Sequence, residues 1–289
     1  MGPSYDQDGG HGKMISMDNR RPRSFRNLPM HALDRRFEIA QALCARAAAL
    51  ALSMAPPPGA SQGALKGVQD WVTAADSAVE RFLSEAMQAA FPEDGFQGEE
   101  AGDARQGALR WVVDPIDGTS NFARGGMRWC VSIGLIEGRT PLLGVLAAPG
   151  LGETYAACAG QGATLNGRPI RVAATTALPR GIVECGWSSR VPAAEYLALC
   201  GRVMATGAML RSGGSGALGL AETAAGRIDG YAELHINLWD VAAALAVLAE
   251  AGAVVSGFMD GLGPVRGAPI LAAAPGVADA LREAACLPG

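Results

Sequence analysis

The chain has 289 residues, 49% of them hydrophobic and 18% charged, with a formal net charge of −4 and an isoelectric point of about 5.5. That length and composition can bury one large core or two smaller ones. The near-neutral balance excludes an electrostatic nucleic-acid binder or a polybasic membrane patch, which leaves a small molecule as the expected partner.

Residues 1–30 are rich in Gly, Ser, Asp, Asn and Arg and read as a disordered leader. "RRPRSFR" followed by "ALCARAAALALSMAPPPGA" imitates a secretory signal, but Arg46 interrupts the apolar run. The amphipathic start "LDRRFEIAQAL" instead predicts a first helix from Leu33 to Met54, ended by Pro56, Pro57 and Pro58. No segment reaches membrane-spanning length without a charge or a proline, and a cytoplasmic location is expected. Past a loop holding Lys66, "DSAVERFLSEAMQAAF" sets Val79, Phe82, Leu83 and Ala86 at helical spacing, with Asp76 or Ser77 as cap.

"PEDGFQGEE" is a turn leading into Glu99 and Glu100, a pair that by itself reads as solvated charge. Strand-like runs follow in "ALRWVVD", "CVSIGLIEG", "PLLGVLAAP", "ETYAACAG" and "RPIRVA", with Asn166–Gly167 as a hairpin turn, an antiparallel-leaning organisation. After Pro179 the pattern alternates: "GIVECGW", a helix at about 192 to 205, "AMLRSG", a helix through "ALGLAETAAG", and "RIDGYAEL". "LWDVAAALAVLAEAGA" is then a nearly all-apolar, buried helix capped by Asp240 and stopped by Gly252. The expected organisation is an N-terminal half over 31–178 and a C-terminal half over 179–289, working as one catalytic unit.

The most informative stretch is "WVVDPIDGTSNF", residues 111–122. A strand-to-helix turn with one capping acid explains part of it. Two carboxylates on so stiff a turn also suit Mg²⁺, which takes one or two carboxylates with water and phosphate completing its shell. A Gly-Thr-Ser helix entry would add N–H groups for a phosphate. From these residues alone both readings stand. The six cysteines, at 44, 130, 158, 185, 200 and 286, include no close pair. Only His235 lies past residue 31, so oxygen-ligand chemistry is favoured by elimination, and His235 itself is expected to pack beside the pocket.

"GEE" at 98–100, "DPIDGT" at 114–119 and "WD" at 239–240, with "VTAAD" upstream, together resemble the inositol monophosphatase family of lithium-sensitive, Mg²⁺-dependent phosphatases, over roughly residues 33–285. The resemblance implies an α/β (α+β) fold, a layered α-β-α-β-α sandwich of the sugar-phosphatase type, and a homodimer. It implies two to three Mg²⁺ ions held by Glu99, Asp114, the Ile116 carbonyl, Asp117 and Asp240, with Glu100 no more than an outer partner. Asp76 and Thr119 match the pair that orients and deprotonates the attacking water, and Lys66 matches a mobile-loop lysine. Gly118, Thr119 and Ser120 match phosphate contacts, while Ser188, Gly216 and Glu233 match the pocket for the alcohol, Gly216 through its backbone. The implied substrate is inositol monophosphate or a similar polyol phosphate. Histidinol phosphate, or an added role as a binding partner of the transcription machinery, are the alternatives, with no direct nucleic-acid or membrane contact. The absence of a dense Arg and Lys cluster speaks against a bisphosphate.

Overall fold

Apolar residues at helical spacing make α1 (Met30–Met54) long and apolar enough, by length and composition, to cross a membrane. Its Ala40, Leu43, Cys44, Ala47, Ala48 and Ala51 instead pack in a core beneath a β-sheet. The computed structural model describes residues 30–67, 70–261 and 263–287, so the expected leader lies outside it except for Met30. After α1 come the hairpin β1 (Ala64–Gly67) and β2 (Asp70–Val72), which includes Lys66, then α2 (Ala74–Ala90), β3 (Gly95–Gly98) and β4 (Gly102–Arg105). The long strand β5 (Leu109–Asp117) runs into the single turn α3 (Thr119–Phe122). β6 (Cys130–Glu137), β7 (Thr140–Ala148), β8 (Glu153–Cys158), β9 (Ala163–Leu165) and β10 (Arg168–Pro169) then form an antiparallel meander. "RPIRVA" yields only the two residues of β10. Pro169 gives the ladder no donor, and Val172 N–H bonds the Ala251 carbonyl instead, at 3.2 Å.

The second half supplies β11 (Ile182–Gly186), α4 (Ala193–Ala205), β12 (Met209–Arg211), α5 (Gly216–Ala224), β13 (Gly230–Ile236), α6 (Leu238–Ala251), β14 (Val254–Val255), α7 (Gly263–Arg266), β15 (Ala268–Ala273) and α8 (Ala278–Ala285). The first half makes an eight-stranded sheet ordered β10-β9-β8-β7-β6-β5-β3-β4, and the second a five-stranded sheet ordered β12-β11-β13-β15-β14. Strand alternation then fixes the layers. Trp111, Val113 and Ile133 face the core under α1 and α2, whereas Val112, Cys130 and Leu146 face α5 and α6. Tyr231 and Ile270 close that central layer from the small sheet, whose other face packs Val183 and Leu271 against α4 and α8. The result is the five-layer α-β-α-β-α sandwich.

Two local features aim the elements. β6 and β7 pair Gly134 with Gly144, and Cβ atoms at these positions would lie 2.8 Å from the Ala242 carbonyl carbon and 2.0 Å from the Ala243 oxygen. The backbone of α6 therefore lies directly on the large sheet, a closeness only glycine permits. In β5, Asp114 pairs Ser132 and Asp117 pairs Cys130, so the stretch holding Pro115 and Ile116 carries one residue more than its partner, a bulge.

Candidate active site

The bulge turns Asp114 and Asp117 to one place, and α6 brings Asp240 there from the second half. One oxygen from each lies within 4.8 Å of the other two. Local bonds hold every member. Ile116 N–H donates to Asp114 at 2.9 Å, and Asn237 N–H to Asp240 at 2.8 Å. Asp117 accepts from the Ser215 hydroxyl and from Ala217 N–H at 3.0 Å, at the start of α5. Burial, then the charges of Glu99, Asp117 and Asp240, push Asp114 well above the usual carboxylate range. Burial and then Asp240 raise Asp117 to about 7, against the pull of its Ser215, Ala217 and Gly216 bonds. Burial also raises Asp240, while its bonds to Asn237 and Asp114 and the charge of Arg190 pull it back.

A second group joins Asp76, Glu99 and Glu100, again with one oxygen each inside 4.8 Å. Asp76 is buried, and its Oδ2 accepts Thr73 N–H at 2.7 Å and Thr73 Oγ1–H at 2.6 Å. Burial, the largest effect, raises its pKa. Thr73 is the cap of α2 and Asn237 that of α6, so the caps are not Asp76, Ser77 or Asp240. Both acids stand instead at the third helical position, where the carboxylate reaches back to the cap's N–H and faces the positive helix end. Glu100, expected no nearer than an outer partner, stands in this group itself. Thr119 donates its hydroxyl to the Ile116 carbonyl at 2.8 Å. It does not reach Asp76, whose Oδ1 is buried with no hydrogen-bond partner.

A cavity of about 330 Å³ is lined by Glu99, Asp117, Gly118, Thr119, Ser120, Ser188, Gly216, Glu233 and Asp240, whereas Asp76, Asp114 and Glu100 stand outside its lining. Gly118 has a φ of 91°, which a side chain rarely adopts, and it lets the chain turn from β5 straight into α3. Glu233 on β13 is buried and accepts the Tyr231 hydroxyl. Burial raises its pKa to about 8, with the Tyr231 bond opposing and the Asp240 and Asp117 charges adding. His235 is only half-buried and lines the cavity rather than packing beside it, its Nε2 set 3.1 Å from the Arg266 carbonyl.

Sequence reasoning missed several contributors. Trp71, Trp187 and Trp239 also line the cavity. Ser215, whose position just before an apolar helix is a cap signal, caps α5 and binds Asp117. Glu184 anchors Arg128 at 2.7 Å and Arg211 at 2.8 Å, and the same glutamate takes Gly213 N–H at 3.1 Å, bracing the loop that leads to Ser215.

Six carboxylates in two adjoining groups, all oxygen donors, gather like charge in one part-buried place. The raised pKa of Asp114, driven by burial and by Glu99, Asp117 and Asp240, and the partnerless Asp76 Oδ1 mark where positive charge would be welcome. Hard divalent cations with oxygen preference fit that donor set.

A sequence profile described as the inositol monophosphatase family matches residues 32–286. An inositol-1-monophosphatase of Rhizobium meliloti is 38% identical over 227 residues, 77% of this chain and 85% of that protein. A Nus factor SuhB of Xylella fastidiosa is 36% identical over 208 residues, 69% of this chain and 76% of its own length. The solved inositol monophosphatase of Anabaena superimposes with a TM-score of 0.76 at 32% identity, covering 89% of this chain and 98% of that one. Turn, bulge and layered sheets thus belong to a known lineage of metal-dependent phosphatases: the chain is a member of the inositol monophosphatase family.

Proposed function

We propose that the protein hydrolyses inositol monophosphate, or a similar polyol phosphate, to the free alcohol and phosphate. The observation that carries this reading is one cavity lined by acids from both clusters, by the Gly118–Ser120 helix entry and by the Ser188 and Glu233 wall. Residues 31–178 and 179–289 then act as one catalytic unit. Asp114, Asp117, Asp240, Glu99 and the Ile116 carbonyl would hold two to three Mg²⁺ ions; the Ile116 oxygen keeps a second lone pair beside its Thr119 bond. Mg²⁺ held there supplies positive charge to a phosphoryl group and acidity to water.

The remaining work falls to the chain. The N–H groups at the start of α3 and the Thr119 and Ser120 hydroxyls would bind phosphate oxygens. Asp76, made more basic by burial and with Oδ1 unengaged, would accept the proton of the attacking water. Thr119 would join it by turning its hydroxyl from the Ile116 carbonyl. Glu233, Ser188 and the Gly216 backbone would hold the alcohol's hydroxyls, and the cavity walls limit competing water. An alcohol bearing an ammonium group, as in histidinol phosphate, would favour ionised Glu233, whereas a neutral polyol is served by either protonation state.

A panel of inositol 1-phosphate, histidinol phosphate, a bisphosphorylated nucleotide and fructose 1,6-bisphosphate, each with Mg²⁺ and with EDTA, tests this. The strongest Mg²⁺-dependent release is expected from inositol 1-phosphate, with lithium inhibiting in the millimolar range; preference for histidinol phosphate would overturn the pocket assignment alone. A second reading rests on the relatives named Nus factor: the chain also binds transcription machinery. Retention of RNA polymerase by an Asp114→Asn protein would separate that role from hydrolysis. A homodimer is expected by sedimentation.

A further inference from the structure

Glu80 is only 4% exposed, one turn beyond Asp76 on the buried face of α2. It does not line the cavity. Its two carboxylate oxygens are both used on backbone: Oε2 accepts Glu100 N–H at 2.9 Å and Oε1 accepts Ala101 N–H at 2.7 Å. On the other side of the carboxylate stands Gly98, where a Cβ would come within 2.3 Å of the Glu80 carboxyl carbon. Glycine at 98 and glutamate at 80 are therefore one device, in which the missing side chain lets a carboxylate slide beneath the turn that carries Glu99 and Glu100.

Placing another acid there works against simple electrostatics. Burial, and further down the charge of Glu100, raise the Glu80 pKa, while its bonds to the turn lower it. A neutral residue would avoid that cost, so the compensating role lies in the two N–H groups. Only a carboxylate offers two acceptors in this fork. Glutamine would set its NH₂ against one donor, aspartate would fall a methylene short, and alanine would leave both N–H groups without this partner.

We propose that Glu80 is a positioning residue that fixes the Glu99–Glu100 turn against Asp76, so that α2 sets both sides of the second acid cluster. The inference rests on the cation reading of that cluster and extends it to a residue that touches neither cation nor substrate. The Glu80 fork ties the turn that carries Glu99 and Glu100 to the same helix that carries Asp76. Geometry for a cation is thereby maintained before the cation arrives.

The test uses the full chain without substrate. Mg²⁺ binding is followed by calorimetry, and amide exchange is followed over 98–101, for the unaltered protein, Glu80→Gln and Gly98→Ala, with Glu85→Gln on the exposed face of α2 as control. Gly98→Ala attacks the same contact from the opposite side and serves where Glu80→Gln fails to fold. Both variants are expected to weaken one class of Mg²⁺ site by roughly 10- to 100-fold, the range for partners that orient ligands. Glu100 and Ala101 amides should lose protection, and saturating Mg²⁺ should restore part of it. Folded variants that bind Mg²⁺ with unaltered affinity overturn the inference and leave the cation reading standing. An unaltered protein that binds no Mg²⁺ removes both.

Discussion

The acids of the site form two groups built in different ways. Asp114, Asp117 and Asp240 come from the end of a strand, a bulge and the first turn of a buried helix, and each has a backbone N–H fixed on it. Asp76 shares that kind of support, but its neighbours Glu99 and Glu100 are half-buried on a turn between β3 and β4, at the edge of the large sheet. The first group is fixed by those bonds, so its crowding shows as raised carboxylate pKa values. The second can shift a turn. Rigid acids make a site that demands positive charge, and acids on an adjustable turn make one whose strength depends on what braces it.

The largest effect that sharpens this contrast is expected from Asp114→Asn. Turnover should fall by at least about 100-fold, beyond the range for an orienting partner, while the apo protein in EDTA should melt at a higher temperature because a buried repulsion is gone. Steady-state kinetics and calorimetric melting check both halves, and near-normal activity would sink the ligand assignment. Glu99→Gln should cost less and be partly recovered by raising Mg²⁺; a loss that no Mg²⁺ concentration restores would show the second group to be as rigid as the first. Glu233→Gln, outside both groups, should lower kcat/KM for inositol 1-phosphate about tenfold more than for an aryl phosphate, one hydrogen bond to a hydroxyl being worth about 1.4 kcal/mol. Equal losses on both substrates would refute its recognition role.

The smallest effect is on stability. Asp117 is raised from 3.8 to about 7 and Glu233 from 4.5 to about 8. The unfolded chain releases these protons first, so between about pH 4 and 8 the folded state holds more of them and loses stability as pH rises. In EDTA the melting temperature should therefore decline from pH 5 to pH 8, and Glu233→Gln should flatten the upper part of that slope. Mg²⁺ at pH 8 should restore stability. A melting curve that rises with pH in EDTA would contradict the burial of these acids.

Much of this was legible in residues. "DPIDGT" and "WD" pointed to three acids that the fold does bring together, because Pro and Gly in a short turn leave little freedom. The caps were misassigned, although Thr73-Ala-Ala-Asp76 and Asn237-Leu-Trp-Asp240 share the spacing of a box in which the third helical residue, not the first acid met, reaches back. Glu184, Glu80 and the reach of Ser215 to Asp117 were illegible for another reason. Each acts on a loop or acid distant in the chain, Ser215 on Asp117 and Glu80 on Glu100 and Ala101. Local pattern carries no trace of a partner that only tertiary packing supplies. β15 and α8 went unread as well, their short apolar runs being set by the sheet and core they join.

The Gly134–Gly144 pair has a consequence for how this protein can change. Because α6 meets the large sheet at two glycines, the span from Asp240 to the β5 bulge crosses that contact on main chain with only the Ala242 methyl beside it. Side chains elsewhere in the central layer can be exchanged, and their volume changes absorbed, without lengthening that span. The reference distance of the reaction centre is thus written in main chain. The core around it is free to drift in composition, whereas a single added methyl at Gly144 moves the helix and the acid it carries together.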